Sequence, residues 1–129
     1  MSHTVTMKLV VKDANCLHDT MLARGLELRE KTTFKSYNTE ACDFAYGIPD
    51  NSRAFEVGVV IQPDGSYRLL YDLWNGGYGL EAKIGKEGYE LIREYESQVV
   101  YSQMRNQGYE MSEITLPDGT REITATRYV

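Results

Sequence analysis

"AFEVGVVIQPDGSYRLLYDLW", residues 54–74, sets two runs of branched and aromatic residues on either side of Pro63-Asp64-Gly65-Ser66. Proline fixes φ at the second position of a turn and glycine supplies the positive φ that follows, so the stretch predicts a β-hairpin. Side chains two apart on a strand point the same way, which puts Tyr67 and Tyr71 on one face. An antiparallel hairpin at the centre of the chain makes an antiparallel sheet the framework for everything else.

Upstream, "HTVTMKLVVK" (3–12) alternates, with Val5, Met7 and Leu9 on one side, as a half-buried strand does. "DANCLHDTMLARGLEL" (13–28) then predicts a helix over about 14–24, with Asp13 as its N-cap and Gly25 stopping it in a left-handed conformation. "LELREKTTFKSY" (26–37) reads as a second strand, and "NTEACDFAYGIPDNSR" (38–53) as a loop or ragged strand ending in a turn. Downstream, "KEGYELIREYESQVVYSQMRNQG" (86–108) places Leu91, Ile92, Tyr95 and Val99 on one stripe of a long helix that Gly108 ends. "YEMSEITLPDGTREITATRYV" (109–129) repeats the earlier turn as Pro117-Asp118-Gly119-Thr120 and predicts a second hairpin. The recurrence of "PDG", and of "RGLE" (24–27) in "QGYE" (107–110), is what turn chemistry produces without duplication.

The order is strand, helix, strand, hairpin, helix, hairpin (β-α-β-ββ-α-ββ). Two helices cannot cover both faces of such a sheet, so residues 1–129 are expected to form a single α+β domain. Its architecture is a two-layer sandwich, a largely antiparallel sheet with two helices on one face. The opposite face is then left for water or a partner, and the tyrosine-bearing surface at Tyr67 and Tyr71 suits a partner.

Fourteen Lys and Arg against nineteen Asp and Glu give a charge of −5, the wrong sign for following a phosphate backbone, so nucleic acid is not expected as a partner. No apolar run approaches the ~20 residues that span a bilayer. The start "MSHTVTMKLVV" lacks the basic and long apolar segments of a secretion signal, so no membrane association and a cytoplasmic location are expected. Two cysteines, Cys16 and Cys42, suit a reducing compartment as free buried thiols, with a disulfide between them left open. Ten tyrosines against three phenylalanines and one tryptophan favour half-wet surfaces, interfaces and clefts.

Several stretches together resemble a plastid and cyanobacterial family called ycf-thirty-five, also described as the domain of unknown function twelve fifty-seven. These are the start "MSH", the helix ending "RGLEL" (24–28), "YDLW" (71–74) with Asp72 and Trp74 before the long helix, and the tail "QGYEMSEITLPDGTREITATRYV" (107–129). The resemblance covers nearly the whole chain in element order and length. It implies an accessory or adaptor role, with an AAA-type ATPase as a possible protein partner by family association alone, and no assigned activity. The "NGGYG" of residues 75–79 departs from that family, whose members carry polar and aromatic residues there, so its role is not read from the resemblance.

"LWNGGYGLEAKIGKEG" (73–88) raises the question of a phosphate loop. Gly77, Gly79 and Ala82 satisfy G-x-G-x-x-A, but a dinucleotide site also needs a βαβ unit around it. Between Gly79 and Gly85 the spacing is one residue too long for a P-loop, and Glu87 stands where a magnesium-holding hydroxyl belongs. A strand-to-helix hinge is the better reading. No metal site is expected, because Cys16 and His18 diverge on a helix while His3 and Cys42 lie elsewhere. No catalytic set assembles either: no nucleophile elbow is present, and Glu90, Glu94 and Glu96 alternate with basic residues as on a solvated face. An enzyme is therefore not favoured, and no cofactor is indicated.

"YDLWNGGYG" (71–79) is the chief local peculiarity. Asp72 in an apolar strand must cap the next turn or meet a cation such as Arg68 or Lys83, while the glycines beside Trp74 admit another backbone or a flat ligand. The expected function is non-enzymatic binding or assembly, as a homo-oligomer, through the Tyr67 and Tyr71 face and the Asp72–Gly79 loop. The alternative is a small-molecule binder in which Trp74 and Tyr78 stack on a planar, nucleotide-like ligand and Lys83 or Lys86 meets an anionic group.

Overall fold

The computed structural model describes residues 4–127. In chain order it forms β1 (Val5–Thr6), α1 (Ala14–Ala23), β2 (Glu27–Arg29), β3 (Thr33–Phe34), β4 (Glu40–Ala41), β5 (Phe44–Gly47), β6 (Val57–Ile61) and β7 (Tyr67–Tyr71). A short helix, α2 (Leu80–Ile84), and the long α3 (Tyr89–Asn106) follow, and then β8 (Tyr109–Thr115) and β9 (Arg121–Arg127). Five strands pair antiparallel in the order β1-β7-β6-β5-β2, so the α+β architecture is as the pattern of elements requires. All three helices lie on one face. Leu17 and Met21 of α1, Leu80 and Ile84 of α2, and Leu91 and Tyr95 of α3 pack with Tyr46, Val57, Val59, Leu69 and Tyr71 in one core. Among the described residues no helix is long and apolar enough to cross a membrane.

Local chemistry fixes the ends of the elements. The Asp13 carboxylate accepts the Cys16 N–H at 3.0 Å, and past the helix the Leu26 N–H reaches back to the Met21 carbonyl at 2.9 Å around Gly25, whose φ is +76°. Both "PDG" turns close identically. The Gln62 N–H donates to the Ser66 carbonyl at 2.8 Å and the Leu116 N–H to the Thr120 carbonyl at 2.7 Å, with Gly65 and Gly119 both at φ +86°.

Four expectations are corrected. Tyr67 and Tyr71 do share a face, but it is the helix-packed one: Tyr71 is buried in the core and its hydroxyl donates to the Glu87 carbonyl at 2.9 Å. The parity of β7 alone could not say which side the helices take. Val5, Met7 and Leu9 do not form one stripe, because between the pairs Thr6↔Leu70 and Val11↔Tyr67 the chain advances five residues against three. The Leu9 N–H folds back onto the Met7 carbonyl at 2.9 Å, leaving Val5 exposed and Met7 and Val11 buried. Residues 38–53 contain β4 and β5, and β5 is an internal strand between β6 and β2. Last, a short extra helix, α2, stands where only a hinge was expected.

The second face of the sheet is also partly covered. The β3–β4 ribbon lays Phe34, fully buried, over Gly58, where no side chain could fit beneath the ring. Beside it Glu56, 1 % exposed, receives Arg29 Nη1 at 2.8 Å and the Lys35 N–H at 2.7 Å and pairs with Lys31. Among the described residues the β8–β9 ribbon forms a separate two-stranded sheet. It stands against α3, where Tyr101 and Arg121 meet Glu113.

Candidate functional site: an aromatic patch on a left-handed turn

Asp72 directly follows β7 and is fully buried. Its Oδ1 accepts the Trp74 N–H at 2.9 Å and its Oδ2 the Tyr37 N–H at 2.8 Å, so it caps the next turn, as one of the expected alternatives, and binds a distant loop. The cationic partners Arg68 and Lys83 are not used. Two backbone N–H groups satisfy the carboxylate in place of a counter-charge.

Beyond Asp72 the chain winds the wrong way. Asn75 (φ 53°, ψ 38°), Gly76 (67°, 11°), Gly77 (61°, 24°) and Tyr78 (53°, 37°) make a left-handed turn, and Gly79 follows at φ 117°. Each non-glycine residue in that conformation costs about 1–2 kcal/mol, so the surroundings must hold it. They do so through the backbone: the Phe55 N–H donates to the Gly77 carbonyl and the Gly76 N–H to the Leu73 carbonyl, both at 2.9 Å. At Gly77 a Cβ would lie 2.9 Å from Leu80 Cβ and 3.1 Å from the Asp72 carbonyl, so glycine is required there.

This geometry answers the phosphate-loop question. The N–H groups of Gly76, Gly85 and Gly88 all donate to nearby carbonyls at 2.8–3.0 Å, and that of Leu80 turns back to Gly76 and Gly77. A phosphate cradle needs such donors aimed outward. The glycines build a turn and a hinge.

The turn raises Trp74 and Tyr78 to the surface, 42 % and 38 % exposed, and Tyr37, 51 % exposed, joins them from the loop before β4. The rings meet edge to face or tilted. Tyr37 and Trp74 lie 5.0 Å apart at 73°, Trp74 and Tyr78 6.1 Å apart at 56°, and Tyr78 rests on the buried Phe55 at 5.2 Å and 65°. Sequence reasoning placed Trp74 and Tyr78 here but missed Tyr37 and Phe55. No local signal marks Tyr37, whose N–H donates to the distant Asp72 carboxylate.

The remaining expected site residues lie apart from this patch. Lys83 stretches over Gly25, while its carbonyl accepts Arg24 Nε at 2.8 Å. Lys86 lines a cleft of about 460 Å³ with Lys8, Tyr71 and Leu73. Tyr67 packs against the core. His3 falls outside the described residues. His18 Nδ1 lies 3.0 Å from the Tyr46 hydroxyl, and both Cys16 and Cys42 are free thiols. Burial first and Asp13 second push the Cys16 thiol up, which keeps it protonated and a poor nucleophile.

Replacing the buried Asp72 with Ala is expected to lower stability by about 2 kcal/mol, since two part-buried backbone N–H groups lose their acceptor. Thermal melts measure the loss, and a red-shifted Trp74 emission would show the turn loosening. An unchanged melting temperature would show that the carboxylate does not hold the turn.

Comparison with known proteins returns no match: no family model fits the chain, and no curated protein and no solved structure matches it. The resemblance to the plastid and cyanobacterial family therefore rests on the quoted motifs alone.

Proposed function

We propose that the chain is a protein-recognition module that uses Trp74, Tyr78 and Tyr37 as its contact surface, with self-association as the form of binding available to the purified protein. The observation that carries this reading is the left-handed turn pinned by buried Asp72, which fixes three large, partly exposed rings before any partner arrives. Strained backbone persists where surrounding structure over-determines it, and pre-organised aromatic residues lose little entropy on binding. Tryptophan and tyrosine are also the side chains that dominate binding energy at protein contacts.

The ring geometry supports a partner lying across the patch over a planar ligand inserted into it. A sandwich needs near-parallel rings about 7 Å apart, twice a stacking distance. Here neighbouring rings lie 5.0–6.1 Å apart at 56–73°. Five cavities of about 260–530 Å³ open elsewhere, and neither Trp74 nor Tyr78 lines any of these five.

The test uses the only tryptophan in the chain as its own reporter. Sedimentation velocity across a concentration series, with Trp74 emission followed in parallel, is expected to show assembly accompanied by a blue shift. Trp74→Ala should stay folded and weaken association by about 2 kcal/mol, some thirtyfold. A monomer at every concentration rejects self-association, and assembly untouched by Trp74→Ala rejects this patch.

A further inference from the structure

Away from the aromatic patch, a cavity of about 530 Å³ opens between the start of α1 and the β2–β5 edge of the sheet. Its wall is apolar: Leu17 from α1, Leu28 from β2, and Phe44 and Tyr46 from β5. Leu28 is 41 % exposed, on a strand with no neighbour beyond it. Phe44 and Tyr46 meet at 71° with centroids 6.1 Å apart, so ring surface borders the opening. The Tyr46 hydroxyl is already paired with His18 Nδ1 at 3.0 Å, which closes the polar end of that ring. Volume and lining fall within the range of small-molecule sites.

The rim decides what charge such a molecule carries. Glu30, Asp43 and Lys31 stand around it. Lys31 is held by the Glu56 carboxylate, which also takes Arg29. Asp43 Oδ2 accepts the Ile61 N–H at 2.7 Å, and among the described residues neither Asp43 nor Glu30 has an ion-pair partner. The uncompensated charge at the mouth is therefore negative. Aromatic rings beside carboxylates favour a cation, through ring quadrupoles as well as direct attraction.

We infer that this cavity binds a small primary amine carried on an apolar, aromatic body, with the body against Leu17, Leu28, Phe44 and Tyr46 and the ammonium between Glu30 and Asp43. The site is independent of the aromatic patch and of the proposed protein contact.

The test is an amide NMR titration of the whole chain with 2-phenylethylamine and, separately, with phenylacetate, which carries the same ring and the opposite charge. The amine is expected to give saturable shifts centred on residues 14–17, 28–32 and 43–46, and to bind at least about tenfold more tightly than the carboxylate. Glu30 is exposed, so Glu30→Lys should fold normally and bring the two affinities together or reverse their order. No saturable shift with either probe, or shifts centred outside those segments, overturns the site. Equal affinities for both probes in the unaltered chain, or a preference that Glu30→Lys leaves unchanged, overturn the charge assignment.

Discussion

Gly58→Ala is expected to lower stability by about 3 kcal/mol, at the upper end of overpacking costs, because the new methyl would be driven into a buried ring. A Cβ built on Gly58 lies 2.6 Å from Phe34 Cε1 and 2.7 Å from Phe34 Cγ. Phe34 cannot retreat easily, since it is fully buried and its strand is paired with β4. Either the β3–β4 ribbon lifts from the sheet or β6 shifts, and each loses packed area. Denaturant midpoints measure the cost. The pair Gly58→Ala with Phe34→Leu distinguishes the cause, for a smaller side chain should recover part of the loss if the clash is responsible. A Gly58→Ala protein as stable as the parent would show that the ring does not sit on the glycine.

Glu56→Ala is expected to cost about 3 kcal/mol, the low end for breaking a buried pair, because Arg29 and Lys31 keep 24 % and 42 % side-chain exposure and can recover water. The Lys35 N–H, which donates to Glu56 Oε1 at 2.7 Å, loses its acceptor as well. The effect carries a pH signature. Burial alone would push the Glu56 carboxyl up, but hydrogen bonds from Lys31, the Lys35 N–H and Arg29 outweigh it and hold the group below its ordinary value of 4.5. A carboxyl lowered in the folded state contributes stability that is full above the ordinary range and is lost as pH falls through the lower value. Urea midpoints of the parent and of Glu56→Gln should thus differ most at pH 7 and converge as the pH falls below the lowered value of the Glu56 carboxyl. A gap that stays constant or widens in acid would show that the charge of Glu56 is not what stabilises the fold.

Asp13, Gly25, Pro63-Asp64-Gly65 and Pro117-Asp118-Gly119 act within four or five residues of themselves, and each behaves as its chemistry dictates. The stripe of α3 is equally local: Leu91 and Tyr95 are buried, with Ile92 and Val99 packed beside them. Asp72 was legible as a buried carboxylate in need of a partner, but its second partner, the Tyr37 N–H, lies 35 residues away. Glycine density between 76 and 79 signalled a hinge, yet its left-handed winding also recruits Asn75, which tolerates that region, and Tyr78, which no propensity favours there. Sequence reasoning passed over Glu56, and the cations that neutralise it, Arg29 and Lys31, lie more than 20 residues away in the chain.

The sequence by itself determined the α+β class, the caps of α1, both closed turns and the buried stripe of α3, because hydrogen bonds and side-chain period over a few residues decide those. Only the tertiary structure decided which face Tyr67 and Tyr71 occupy, that β5 is an internal strand, that Phe34 covers Gly58, and that Tyr37 joins Trp74. Those outcomes depend on which surfaces bury one another across long separations, and period-two alternation is the same whichever side of the sheet the helices take.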